Sequence, residues 1–317
     1  MAAETFLLPN GQKIPMLGLG TWLSPPGKCA QTVKYAIEVG YRHIDAAWLY
    51  GNEMEVGEGV RKAIEEGIVK REDLFITTKL WNTFHEKDDV LPALKKSLEN
   101  FGLSYVDLFL MHWPVACKNT GTFDIQLPFK DAVYYDHDFC ETWKAMEECV
   151  DLGLVKSLGV SNFTSKQLQR IIDIARVKPT INQIEVTPLL NQKKLIAFCK
   201  EKDIYVTAYS PFGSPARPWR KDGEPVLNLQ DPRLVGIGKQ YNKNGAQVVL
   251  RYLIQLGTFP IPKSANPARI QENIDIFDFE LSKEDMKVLD GFNKDFRCVH
   301  AEELMESNEY PFKDCEF

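Results

Sequence analysis

The chain has 317 residues, of which 44% are hydrophobic and 26% charged, with 20 glycines and 18 prolines, proportions that exclude collagen-like, low-complexity and disordered proteins. Lys and Arg number 38 against 44 Asp and Glu, a formal charge of −6, and no segment is as basic as a nucleic-acid tail. That balance disfavours nucleic-acid partners while leaving room for a local cationic pocket around one small anion.

The opening MAAETFLLPNGQKIPML has no basic run followed by an uninterrupted apolar stretch. No later stretch approaches the roughly 18 apolar residues of a membrane span, so neither a secretory signal nor a membrane segment is expected, and the expected location is cytoplasmic. Seven scattered cysteines without a CxxC pair suggest free thiols in a reducing compartment. Five histidines without HExxH or a dense Cys/His cluster give no metal site.

In chain order, residues 5–16, TFLLPNGQKIPM, place two apolar runs around Pro9, Asn10 and Gly11, the pattern of a β-hairpin capping something larger. Eight strand candidates follow, at 17–20, 41–45, 73–80, 106–113, 154–162, 181–186, 203–210 and 258–264. Helical patterns alternate with them near 29–39, 52–66, 88–100, 139–151, 164–175, 191–202, 244–256 and 267–276, with a last one near 282–291. Thr164 or Ser165 can cap the fifth helix, Asn266 followed by Pro267 opens the eighth, and Gly40, Gly67, Gly102 and Gly153 are expected to stop others.

Strand-helix alternation implies a parallel sheet. Eight units without a composition break favour one closed (β/α)8 barrel, an α/β fold spanning residues 1–317 as a single domain, over two doubly wound halves. An open Rossmann-like sheet would carry GxGxxG after its first strand, and LGLG followed by Thr21 and Trp22 does not supply it. The long irregular segments 114–137 and 211–230 follow strands and should stand at the catalytic face, whereas the tail 293–317 is either a loose terminus or a third wall of the pocket.

In such a barrel the informative side chains are polar groups at strand carboxyl ends: Asp45 and Tyr50, Lys79, His112, Ser161 and Asn162, Gln183, Tyr209 and Ser210. Asp45 and Lys79 can form a buried ion pair. A cation beside Tyr50 would lower its pKa from about 10 and let it deliver a proton to a developing alkoxide. His112 could donate a hydrogen bond to the same oxygen. A glycosidase would need two carboxylates, for which Asp45 and Glu185 are the nearest candidates. Neither GxSxG nor GxxxxGK[ST] is present.

An anion-binding feature stands at 261–273, IPKSANPARIQEN: Lys263 and Ser264 leave the last strand, a helix begins, and Arg269 sits on it. Its structural alternative is a helix start capped by Asn266 with solvent-exposed basic residues. Trp22, Trp48, Trp81, Trp113 and Trp219 cluster after strands or in the long seventh loop, suggesting an apolar substrate tunnel or an aromatic protein-binding patch.

These blocks, GQKIPMLGLGTW, GYRHIDAAWLYGNE, LFITTKLWN, YVDLFLMHWP, GLVKSLGVSNF, NQIEVTPLL, AYSPFGS, IPKSANPARIQEN and DFELS, resemble in content and order the aldo-keto reductase family, in its aldose and aldehyde reductase branch, over essentially the whole chain. The resemblance implies NADPH-dependent reduction of aldehydes and ketones by a TIM-barrel enzyme, with Asp45, Tyr50, Lys79 and His112 as the catalytic tetrad and Tyr50 as proton donor. It further implies that Ser161, Asn162 and Gln183 hold the nicotinamide carboxamide, with Tyr209 stacked on the ring, and that Thr21, Trp22 and Asp45 also bind the cofactor. Ser210, Phe212 and Ser214 would lie near the pyrophosphate, Lys263, Ser264, Asn266 and Arg269 near the adenosine 2'-phosphate, and Glu272 and Asn273 near adenine.

For the substrate wall the resemblance points to Trp22, Leu49, Trp81, Trp113, Phe123, Trp219, Cys298, Val299 and His300, alongside Tyr50 and His112. The implied partner is a small-molecule carbonyl compound, in the order aromatic and aliphatic aldehydes, open-chain sugars, ketosteroids, and the implied state is a monomer. A steroid-selective ketoreductase and a non-enzymatic NADPH-binding structural or regulatory protein are the alternatives.

Overall fold

The computed structural model describes residues 3–119 and 133–313, so Phe123 and Cys315 lie outside the described residues. Strands β1 (Thr5–Leu7) and β2 (Lys13–Pro15) pair antiparallel, with Phe6 opposite Ile14. The turn between them needs Gly11 at a φ of 83°, a left-handed conformation that glycine adopts without a Cβ clash. Eight short strands then run parallel: β3 (Leu19–Gly20), β4 (His43–Asp45), β5 (Phe75–Leu80), β6 (Val106–Met111), β7 (Val155–Ser161), β8 (Ile181–Glu185), β9 (Tyr205–Tyr209) and β10 (Thr258–Pro260), neighbours in sequence being neighbours in the sheet. Backbone bonds from Gly18 to Pro260 (3.0 Å) and from Gly20 to Pro262 (3.1 Å) join the first of these to the last, so the sheet curls round to meet itself.

The strands are buried nearly throughout, as expected where one face fills a barrel and the other meets helices. The hairpin caps one end: Leu8 and Ile14 pack with Phe75, Leu108, Leu110, Ile181 and Phe259. Asn10 donates to Ser157 Oγ (2.6 Å) and Gln12 to Asp107 Oδ1 (3.2 Å), which fixes the hairpin to the strand ends. The opposite end stays free for chemistry.

Outside the strands lie α1 (Cys29–Glu38), α2 (Glu53–Glu65), α3 (Lys87–Phe101), α4 (Phe139–Asp151), α5 (Ser165–Ile174), α6 (Lys193–Glu201), α7 (Pro232–Tyr241), α8 (Gly245–Gln255), α9 (Pro267–Ile274) and α10 (Lys283–Asp290). Thr164 caps α5 through a capping box with Gln167, and Asn266 caps α9 with Pro267 in its first turn; both devices satisfy amides that a helix start leaves without partners. Gly102 ends α3 at a φ of 63°. Helix α7 has no counterpart among the sequence expectations, although Asp231 caps it and Pro232 opens it.

The described part of the tail after α10, up to residue 313, is held in place by defined contacts. The amides of Lys294 and Phe296 bond Leu189 O (3.0 and 3.1 Å), Tyr310 Oη donates to His300 O (2.6 Å), and the Phe312 ring meets Trp113 edge-on at 5.8 Å.

Candidate active site

At the open end β4 and β5 bring Asp45 and Lys79 together. Lys79 Nζ donates to Asp45 Oδ1 (2.7 Å), to Ala46 O (2.9 Å) and to Tyr50 Oη (3.2 Å), which uses all three of its hydrogens. Both charged side chains are sealed from solvent, at 0% and 1% exposure. Such a pair is tolerated because each charge is compensated, and here the second Asp45 oxygen is also filled, by Gln183 Nε2 at 2.7 Å. Thr21 Oγ1 bonds Asp45 O (2.9 Å), pinning the end of β4 from β3.

Tyr50 follows in the short 3-10 turn Trp48–Tyr50 and keeps part of its surface open. Its pKa differs from the sequence expectation. Burial, with the charge of Asp45 adding to it, pushes the Tyr50 phenol well above its ordinary value, because the neighbouring Lys79 is already neutralised by Asp45 and desolvation opposes a phenolate. Burial likewise pulls Lys79 down.

His112 follows β6, edge-on to Tyr50 at 5.9 Å and to Trp81 at 5.2 Å between ring centroids. Burial first, then the charge of Lys79, hold its pKa well below 6.5, so the imidazole is neutral at neutral pH. Its Nδ1 finds no partner among the described residues. Asn162 Nδ2 donates to the His112 carbonyl (3.0 Å), fixing the backbone beneath the ring.

Next to this group Ser161, Asn162, Gln183 and Tyr209 form one network. Ser161 Oγ donates to Gln183 O (2.8 Å), Asn162 Nδ2 to Ser161 Oγ (3.2 Å), and Tyr209 Oη to Asn162 Oδ1 (2.7 Å). Asn162 and Ser210 hold left-handed backbones, at φ 63° and 50°, which cost energy outside glycine and turn the chain sharply at the mouth. Ser210 and Ser214 share a hydrogen bond of 2.7 Å, and Phe212 lies half-buried between them in sequence. Arg217, missed in the sequence reading, is buried, bonds Gly213 O and pairs with Glu224, closing this loop upon itself.

Lys263, Ser264, Ala265, Asn266, Pro267 and Arg269 line an open cavity of about 450 Å³. No carboxylate lines it, and among the described residues neither cation has an ion-pair partner. Burial, followed by repulsion from Arg269, lowers the Lys263 pKa. Two like charges held this way suit a phosphate dianion. Glu272 lies one helical turn on, exposed, accepting from Asn244 Nδ2 (3.2 Å), whereas Asn273 is buried.

The tryptophans divide. Trp22 and Trp219 meet at 5.5 Å over the mouth, Trp81 lies against His112, and Trp113 meets the tail through Phe312. Trp48 instead packs edge-on against Phe84 at 5.0 Å, in the core. Leu49 is half-buried beside it. Trp219 Nε1 donates to Cys298 O (2.9 Å), and Cys298 Sγ bonds Gly213 O (3.2 Å), so Cys298 ties the tail to the long loop; Val299 is bonded instead to Glu185 and His300 to Tyr310. Burial pushes the Cys298 thiol up to about 12, which keeps it protonated at neutral pH.

The paired-carboxylate alternative fails on geometry. Asp45 is consumed by Lys79 and Gln183, and Glu185, buried at the end of β8, accepts the amides of Cys298 and Val299. Neither carboxyl is free to act on a glycoside. Among the described residues no group of histidines, cysteines and carboxylates could hold a metal ion, and no helix is long and apolar enough to cross a membrane.

A curled parallel barrel with a lysine-aspartate pair set against a tyrosine, and a two-cation cavity after its last strand, defines the layout of a barrel oxidoreductase. The chain belongs to the aldo/keto reductase family, whose model matches residues 16–294, and it is an oxidoreductase of that family. It is 48% identical over 296 residues to aldo-keto reductase family 1 member A1-A of Danio rerio, covering 93% of this chain and 91% of that one, and 47% identical over 301 residues to member A1 of Homo sapiens, covering 94% and 92%. Among solved structures it resembles a Bombyx mori aldo-keto reductase in complex with NADP (TM-score 0.90, 41% identity, 98% and 99% of the two chains) and the aldose reductase from Schistosoma japonicum (TM-score 0.91, 40% identity, 99% and 100%).

Proposed function

We propose that this enzyme reduces aldehydes and ketones to alcohols with NADPH, and that Tyr50 supplies the proton. The observation that carries the reading is the placement of Lys79. With Nζ donating to Tyr50 Oη, the phenol oxygen accepts from the lysine and its own hydrogen is left to donate toward the mouth, where a carbonyl oxygen would stand. Lys79, fixed by Asp45 and Ala46 O, then offers its charge to the oxygen as the proton leaves, and neutral His112 offers an N–H to the same carbonyl oxygen.

The cofactor side rests on the fit of the cavity at 263–269 to a 2'-phosphate, and on the solved Bombyx mori relative in complex with NADP. Lys263, Ser264, Asn266 and Arg269 would hold that phosphate, and Ser161, Asn162 and Gln183 would exchange their mutual hydrogen bonds for the carboxamide, with Tyr209 against the ring. When bound, the nicotinamide supplies a hydride to the carbonyl carbon; the chain supplies orientation, the proton and a wall against water. Trp22, Trp81, Trp113, Trp219, Cys298, Val299 and His300 would enclose the substrate, which favours aromatic and aliphatic aldehydes over open-chain sugars and ketosteroids.

Measuring NADPH oxidation with aldehydes, sugars and ketosteroids in parallel tests this reading. Aldehyde turnover fulfils it, turnover confined to ketosteroids would replace it with a steroid-selective enzyme, and tight NADPH binding without any turnover would replace it with a binding protein. The reading extends to one barrel acting as a monomer, which light scattering checks.

A further inference from the structure

We propose that Glu185 is a positioning residue that sets substrate selectivity by fastening the tail across the mouth of the barrel, for carbonyl compounds whose bulk reaches past Tyr50 and His112 to residues 298–300. The inference rests on the carbonyl-reductase reading for its substrates, though not for its geometry. Glu185 ends β8, and its side chain is 0% exposed. Oε1 accepts the Cys298 amide at 2.8 Å and Oε2 the Val299 amide at 2.9 Å. Among the described residues no lysine or arginine forms an ion pair with it, so tail donors compensate the buried carboxyl group, the two amides together with the Cys298 thiol beside them.

One side chain on a rigid strand therefore holds two successive amides of an otherwise irregular segment. What it holds is also tied to the long loop, because Cys298 O accepts from Trp219 Nε1 and Cys298 Sγ meets Gly213 O. Trp219 in turn meets Trp22. Glu185 is thus the barrel end of a chain of contacts running through Cys298 and Trp219 to the far lip of the mouth. A small aldehyde held by Tyr50 and His112 needs little of this wall, whereas a bulky one takes its positioning from it.

The test uses the full chain in two arms. Amide hydrogen exchange should show Cys298 and Val299 protected in the wild type, with exchange at both about tenfold faster in Glu185→Gln, whose amide turns an N–H toward one of the two tail donors. In the kinetic arm, the ratio of kcat/KM for a bulky aromatic aldehyde to that for propanal should fall about tenfold, with the change in KM for the bulky substrate and not in kcat. Glu185→Asp, which keeps the charge and shortens the reach, should move both readouts in the same direction if the glutamine variant does not fold. Unprotected tail amides in the wild type, or variants that slow large and small aldehydes alike through kcat, would overturn the proposal. A wild type that reduces no carbonyl compound would instead overturn the functional reading and leave the exchange arm to judge the fastening.

Discussion

Gln183 donates its side-chain amide to Asp45 at 2.7 Å across the barrel interior, on the oxygen that Lys79 does not use. One carboxylate thereby joins Lys79 and Tyr50, proposed for proton delivery, to Gln183, proposed for the cofactor. Gln183→Leu should leave Asp45 Oδ2 buried without a donor and cost about 1–3 kcal/mol of stability, read as a lower urea midpoint at unchanged m-value. An unchanged midpoint would show that the bond carries no net stability.

Lys79→Met should be more damaging, because it strands the Asp45 charge in a sealed site. The expected loss is about 3–5 kcal/mol, and Asp45→Leu in the same chain should restore part of it by removing the stranded partner. Urea titration of the single and double variants measures this coupling; a double variant no more stable than the single one would contradict it.

The buried histidines set an acid limit. Burial lowers His43 to about 4 and His85 to about 3, against about 6.5 in the unfolded chain. As pH falls below 6.5 the unfolded chain takes up protons first, so stability rises with pH across this window and is lost between about 6.5 and 4, on the order of 3 kcal/mol for each ring. Urea midpoints at several pH values check the slope, and one that does not fall on acidification would refute the assignment. Turnover should respond differently: with Tyr50 raised and His112 lowered, kcat for reduction should be flat between about pH 6 and 8.

Arg269→Ala should weaken NADPH by about tenfold or more, the scale of a lost charge-assisted contact, while leaving NADH nearly unaffected. Fluorescence titration of both cofactors measures it, and equal weakening would remove the 2'-phosphate from the cavity at 263–269.

Much of this molecule is legible in the order of its residues. The eight strand-helix units and the hairpin announce themselves because strands buried on both faces are short apolar runs with glycine and proline between them. Helix α7 is masked in the sequence by the prolines and glycines of the preceding loop, although Asp231-Pro232 is a readable helix start. Trp48 belongs to the core because the 3-10 turn before Gly51 directs it at Phe84. The raised pKa of Tyr50 and the tasks of Arg217 and Glu185 depend on burial and on contacts between distant segments, which no local pattern encodes.

Proton delivery by Tyr50 is decided by single-turnover reduction of an aromatic aldehyde by Tyr50→Phe. In this variant NADPH should still bind within about twofold of the wild type while reduction slows by about 10²–10⁴-fold, the range of a lost general acid. Reduction within tenfold of the wild-type rate, with NADPH bound, would contradict it.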